Sequence, residues 1–149
     1  MKAIVQRVRR GSVVVDGQTT GEIGRGYVVL LGVKQGDTQE NARYLARRTA
    51  DLRIFPDAQD KMNLSVQDVN GQILVVSQFT LYADTRKGNR PSFIQAAPPA
   101  LAEQLYGVYV DALRSVLGPD KVATGIFRAS MLVEILNDGP VTIELCTDE

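Results

Sequence analysis

The chain has no histidine and no tryptophan, and its only cysteine is Cys146. Each absence closes a route. Without histidine there is no Ser-His or Cys-His pair to activate a nucleophile, and no imidazole to ligate zinc. A lone cysteine makes no internal disulfide, which agrees with a reducing compartment. It sits in a strand-like tail, Val141–Cys146, and reads as an ordinary strand residue. No run of about 18 apolar residues is present to cross a bilayer as a helix. The start, Met1–Arg7, lacks the apolar core and cleavage site of a signal peptide, so a soluble, cytoplasmic protein is expected. No His/Asp/Glu cluster with ligand spacing is found, and neither a metal nor another cofactor is expected. Chemistry then falls to hydroxyls, amides, backbone groups or the substrate itself.

An excess of charge of either sign is missing too, because seventeen Lys and Arg balance seventeen Asp and Glu. No net positive field pulls the chain onto arbitrary nucleic acid, so a polyanion must meet a local patch. Two are available: Arg7, Arg9 and Arg10 near the start, and Arg86, Lys87 and Arg90 in a loop. Such clusters are also what solvated loops carry.

What is present suits one domain. At 149 residues and 44% hydrophobic content, the chain can bury about two thirds of its unfolded surface. Residues 2 to 9 read as extended, Val13–Val15 leads into an Asp16-Gly17 turn, and Tyr27–Val33 is continuously apolar, as in a strand covered on both faces. Asp37 with Glu40 forms a cap pattern, followed by Ala42, Leu45, Ala46, Thr49 and Leu52 at helical spacing, which predicts a helix over about 38 to 51. Leu52–Phe55 resumes a strand that Pro56 stops. After an Asn70-Gly71 turn, Gln72–Leu81 reads as a central strand with Ser77-Gln78-Phe79-Thr80 at its far end. A polar loop spans 83 to 97, and a second helix is predicted from about 99 to 117, closed by Gly118-Pro119. Val122–Phe127, Met131–Leu136 and Val141–Cys146 read as three strands, the last two joined by Asn137-Asp138-Gly139-Pro140 as a turn. The order of elements suits an α+β fold.

Ser77 and Thr80 combine a strand-end position with an apolar run that fixes their backbone. As nucleophiles they lack a base, so a structural or hydrogen-bonding role stands beside a covalent one. Backbone amides leaving a sheet offer another route, since N–H groups can face an oxyanion without any titratable side chain. A well-paired sheet edge reads the same way in sequence. Gly139-Pro140, by itself, reads as a structural turn.

Three segments in order, Ser77–Leu81, Arg90-Pro91-Ser92-Phe93 and Asn137–Thr142, resemble those of the D-aminoacyl-tRNA deacylase family, chiral editors that hydrolyse D-aminoacyl esters from tRNA. Gln6-Arg7-Val8, Arg53-Ile54-Phe55, Lys61–Leu64 and Thr124–Phe127 extend the match over nearly the whole chain. The resemblance implies one α+β domain, residues 1–149, with a mixed, barrel-like sheet and two main helices, assembled as a homodimer. It implies that Ser77, Gln78, Phe79 and Thr80 form the catalytic segment, with the Phe79 and Thr80 amides as oxyanion donors and the substrate's 2′-hydroxyl taking part. Gly139 and Pro140, joined by a cis bond, would enter the partner's pocket and exclude L-amino acids. Arg7 would brace that dipeptide, and Met131 would meet substrate. Arg86, Lys87 and Arg90 would touch the acceptor stem, the terminal adenosine would occupy the pocket, and glycyl-tRNA mischarged on tRNA(Ala) would also be hydrolysed. No metal or cofactor is implied. The chain departs from the family at Arg128-Ala129-Ser130-Met131, where small residues and an aspartate are common; a bulky cation there touches RNA or narrows the pocket. Two other readings stand: an editor of an L-amino acid on the same fold, and a non-catalytic module for adenosine or a tRNA end.

Overall fold

β-branched runs at both ends of the chain set the architecture. In the computed structural model, which describes residues 1–148, the first strand β1 (Lys2–Val15) and the last, β8 (Leu132–Cys146), pair antiparallel along nearly their whole length, from Lys2 opposite Cys146 to Val14 opposite Leu132. The other edge of β1 is shared. Its first half pairs with β3 (Gly26–Gly32) and its second half with β2 (Gln18–Ile23). Two register shifts against β8 change which residues face inward, so that Ala3 and Val5 are buried before them, Val8 between them, and Gly11 and Val13 beyond.

From β3 the sheet continues in parallel through β6 (Gln72–Ser77) to the short β7 (Val122–Thr124). The sheet then nearly closes. A Cβ on Gly21 of β2 would lie 2.4 Å from the Thr124 carbonyl of β7, so only glycine admits this approach. The mixed, barrel-like sheet and the two helices expected above are both present.

Helices α1 (Gln39–Asp51) and α2 (Pro99–Leu117) cover one face of the sheet. Tyr27, Val29, Leu31, Ile73 and Val75 pack there against Leu45, Leu105, Tyr109 and Leu113, while Val8, Val13, Val28, Leu74 and Val76 fill a second core on the opposite face. β3 is thus buried on both faces, as its unbroken apolar run predicts. Between the helices, the buried Thr49 hydroxyl donates to the Leu45 carbonyl at 2.8 Å and meets the Tyr109 hydroxyl at 2.7 Å. Burial raises the Tyr109 hydroxyl's pKa, with the Thr49 hydrogen bond acting weakly the other way.

Several boundaries differ from expectation. Thr38 caps α1 in place of Asp37, with Asn41 completing a reciprocal box, because Asp37 is taken by the Met1 ammonium at 2.8 Å and the Lys34 N–H at 2.7 Å. The strand expected over Leu52–Phe55 shrinks to β4 (Phe55–Pro56), paired with β5 (Met62–Leu64), since the Leu52 and Ile54 carbonyls go to Tyr27 and Arg7 side chains. β6 ends at Ser77, and Phe79–Tyr82 turns into a short 3₁₀ helix in place of continuing the strand. β7 stops at Thr124, short of the expected Phe127.

The largest correction concerns Asn137–Pro140. No chain reversal occurs there, because both halves of β8 pair with β1 in one direction. Gln6 and Val8 are two residues apart on β1, but their partners Thr142 and Asn137 are five apart on β8, so Asp138–Val141 are pushed out of the ladder as a large bulge. Pro140 has no N–H to give the ladder, and Gly139 sits at φ +130, in a region that favours glycine.

Candidate active site

Two places gather the residues singled out by sequence. The first lies at the C-terminal ends of the parallel pair β3 and β6. Gln78 leaves the sheet with its N–H bonded to the Leu31 carbonyl at 2.8 Å, and the chain curls into the 3₁₀ turn. Among the described residues, the Phe79 and Thr80 N–H groups have no carbonyl or side-chain acceptor, as the first turn of any helix dictates. The Gln78 amide donates to the Thr80 hydroxyl in a short contact that holds this turn together.

Beside the turn opens a cavity of about 740 Å³. Ser77, Gln78 and Phe79 line one side, Phe93, Ile94 and residues 96–99 leading into α2 line a second, and Phe127–Ala129 with Met131 and Val133 line a third. Phe79 and Phe93 meet edge to face, with centroids 5.0 Å apart, and Ile94 beside them is 76% exposed. Apolar surface of this size at a cavity mouth marks a place where a ligand is covered. Gly125 backs the third wall: a Cβ there would lie 2.6 Å from the Met131 sulfur, so glycine lets Met131 reach the cavity.

The second place is the bulge on β8. Arg7 donates through Nε to the Asp138 carbonyl at 3.0 Å and through Nη1 to the Ile54 carbonyl at 2.7 Å, and the Asp138 carboxylate lies 3.8 Å from Nε. The Asn137 side-chain amide donates to the carbonyls of Arg7 at 2.9 Å and Val141 at 3.0 Å, clamping the base of the bulge. Ladder bonds lost at the bulge are thus replaced by two side chains. The Gly139-Pro140 peptide is cis, and both residues are exposed at the apex.

Within one chain, then, Ser77, Gln78, Phe79 and Met131 line one cavity, with Thr80 exposed next to them, while Arg7, Gly139 and Pro140 form a separate feature that does not line it. Arg86, Lys87 and Arg90 stand exposed on a loop pinched at its base, where Asp84 and Ser92 pair with N···O distances of 2.7 and 2.9 Å. Arg86 is already engaged there. Its Nε and Nη2 donate to Asp84 at 2.9 and 2.6 Å, which holds the Asp84 pKa down at about 2. Sequence reasoning left Phe93, Ile94 and Phe127 out of the site. Phe93 was legible, since it ends the Arg90–Phe93 segment, but only folding brings it onto Phe79.

Among the described residues, no three acidic or thiol side chains converge as metal ligands, and no helix is long and apolar enough to cross a membrane. The cavity offers the Ser77 hydroxyl, the Gln35 and Gln78 side-chain amides, the Arg128 guanidinium and apolar walls, with the Phe79 and Thr80 N–H groups beside it. An α+β protein of this kind is built to hold and polarise a ligand, with no titratable base at the turn. Comparison with known proteins shows the family to which the chain belongs. Residues 4–146 match the profile of the family described as D-Tyr-tRNA(Tyr) deacylase. The chain is similar to the D-aminoacyl-tRNA deacylases of Carboxydothermus hydrogenoformans, 54% identical over 96% of this chain and 97% of that one, and Dehalococcoides mccartyi, 59% identical over 97% and 94%. Among solved structures it superposes on one titled "c-Myc DNA Unwinding Element Binding Protein" with a TM-score of 0.94, 46% identity and 99% coverage of both chains. A probable eukaryotic D-amino acid tRNA deacylase, 18% identical, shares the fold at a TM-score of 0.81 over 97% of both chains. The chain belongs to the D-Tyr-tRNA(Tyr) deacylase family, whose named members are hydrolases.

Proposed function

We propose that this protein hydrolyses the ester of D-aminoacyl-tRNA, releasing the D-amino acid and tRNA, as a cytoplasmic proofreading enzyme of translation. The observation that carries the reading is the pair of unpaired amides at Phe79 and Thr80 beside an apolar cavity large enough for a nucleoside ester. An aminoacyl ester on ribose is already activated by its α-ammonium and neighbouring hydroxyl. Modest help then suffices. One oxyanion donor typically contributes about 3 to 4 kcal/mol, and orientation of ester and water adds to it, without a histidine or a metal. Ser77, Gln78, Phe79 and Thr80 surround the reacting carbonyl in this scheme, the 2′-hydroxyl of the substrate takes part, and Met131 bounds the aminoacyl group.

Chirality is read by a second copy of the chain. In a homodimer, the exposed Gly139-cisPro140 apex of one subunit enters the other's cavity, where its carbonyls hold the α-ammonium and crowd the space an L side chain needs. The exposure of Leu132 and Leu136, on the same strand as the apex, supports a partner on this face. Glycine has no side chain to crowd, so glycyl-tRNA mischarged on tRNA(Ala) is also a substrate. Lys87 and Arg90 contact the acceptor stem, and Arg86 joins them on release from Asp84.

The test is deacylation of D-tyrosyl-tRNA beside L-tyrosyl-tRNA by purified protein with chelator present, the uncatalysed rate subtracted. Release from the D ester alone is expected. Protection of both esters identifies a binding module instead, and release from the L ester refutes the steric role of Gly139-Pro140. Light scattering checks the dimer, and a fully active monomer would defeat the cross-subunit arrangement.

A further inference from the structure

Among the described residues, Arg128 is the one charged residue that lines the cavity. Its backbone lies at φ +68, a left-handed conformation in which glycine is at ease and a long side chain is uncommon. The turn that carries it is closed by the Ala129 N–H donating to the Ile126 carbonyl at 3.1 Å, and it stands between Phe127 and Met131 on the cavity wall. Arg128 is exposed and, unlike Arg7 or Arg86, has neither an ion pair nor a hydrogen bond among the described residues. Among the described residues, no carboxylate lines the cavity to offset it.

A charge so placed discriminates between the two ends of a nucleoside ester. The aminoacyl end carries an ammonium, which a guanidinium repels; the 5′ end carries a phosphate, for which a guanidinium is a matched, bidentate donor. Resting on the reading of the cavity given above, we propose that Arg128 binds the phosphodiester on the 5′ side of the terminal nucleoside and so fixes which way round the RNA end enters. The ester is then directed toward the turn at Phe79 and Thr80, away from the cation. The polar end of the site would be supplied by this one side chain.

Equilibrium titration with adenosine and with 5′-AMP tests this without relying on turnover, since the 5′-phosphate stands in for the phosphodiester. The wild type is expected to bind 5′-AMP about five- to tenfold more tightly than adenosine, the range for one exposed charge-assisted contact. Arg128→Gly, which suits the backbone at φ +68, should abolish that preference while leaving adenosine affinity unchanged, and Arg128→Lys should restore part of it. In deacylation, Arg128→Gly should raise KM for D-aminoacyl-tRNA by a similar factor with kcat kept, and lower the slope of log KM against log salt by about 0.7. Equal binding of the two ligands by the wild type overturns the proposal, as does a 5′-AMP preference that survives Arg128→Gly, or an equal loss for both ligands. A 5′-AMP effect with no change in KM for tRNA also overturns it, since the site would then serve free nucleotide. Should the wild type bind 5′-AMP through Arg128 yet deacylate nothing, the phosphate site stands and the hydrolase reading falls.

Discussion

Replacing Arg7 by methionine keeps an unbranched apolar stem as far as the position of Nε and removes the donors. Two hydrogen bonds disappear, to the Asp138 carbonyl at 3.0 Å and the Ile54 carbonyl at 2.7 Å, from a side chain only 12% exposed. Bonds from a charged donor are worth about 1.5 to 3 kcal/mol each, and the two carbonyls left behind recover part of that from water, so a net loss of about 2 to 4 kcal/mol follows. In a domain of this size, about 1 kcal/mol moves Tm by about 2 to 4 °C, which places the melting point of Arg7→Met about 4 to 16 °C below the wild type. Arg7→Lys retains the charge but not the fork that reaches two separate carbonyls, and should recover less than half of the drop. Scanning calorimetry reads the stability, and single-turnover deacylation of D-tyrosyl-tRNA reads the geometry. A displacement of about 1 Å at the bulge is enough to slow the reaction by about a hundredfold. If Arg7→Met melts within about 1 °C of the wild type, or if lysine serves as well as arginine, the bulge is not held by this side chain and the reasoning fails.

Gly139→Ala should melt lower by about 1 to 3 kcal/mol, because its Cβ would meet Val141 at 2.7 Å and Arg7 at 2.9 Å from a backbone at φ +130; an unchanged melting curve speaks against a glycine-only apex. Thr80→Ala is expected to keep deacylation within about tenfold, whereas loss of several thousandfold in a folded variant would restore a covalent hydroxyl mechanism. Thr49→Val leaves the buried Tyr109 hydroxyl without its partner and should cost about 1 to 3 kcal/mol in denaturant unfolding. Asp84 has its pKa lowered to about 2 by Arg86, so the pair is intact above the ordinary carboxylate range and is lost as pH falls toward 2; Asp84→Asn should free Arg86 at neutral pH and steepen the salt dependence of tRNA binding.

Periodicity made the helices legible, down to the closing glycine of α2, and the unbroken run Tyr27–Val33 showed a strand covered on both faces. Their ends were harder, because they depend on partners remote in sequence. Asp37 has the chemistry of a cap, but the Met1 ammonium and the Lys34 N–H take both its oxygens, and Thr38 does the work. Ile54 looks like a strand residue until Arg7, a long way off in the chain, claims its carbonyl. The site divided in the same way. Ser77–Thr80 could be placed by its strand, whereas the meeting of Phe79 with Phe93 is made by a loop that carries no periodic signal. Asn137–Pro140 misled most, since Asn, Asp, Gly and Pro spell a turn, and only pairing of both halves of β8 with β1 shows a straight strand interrupted.

That pairing also bears on how the protein is made. Within this domain β1 comes first in sequence, and β8, which covers nearly all of its outer edge, comes after every other strand. From the emergence of β1 until that of β8, the nascent domain therefore carries a long β edge with no neighbour, of the kind that recruits other chains. Contacts of such sequence separation form late and slowly, so the sheet is completed only once β8 is available to pair. A chain cut short before β8 would not be a trimmed protein but one whose founding strand stays open to aggregation.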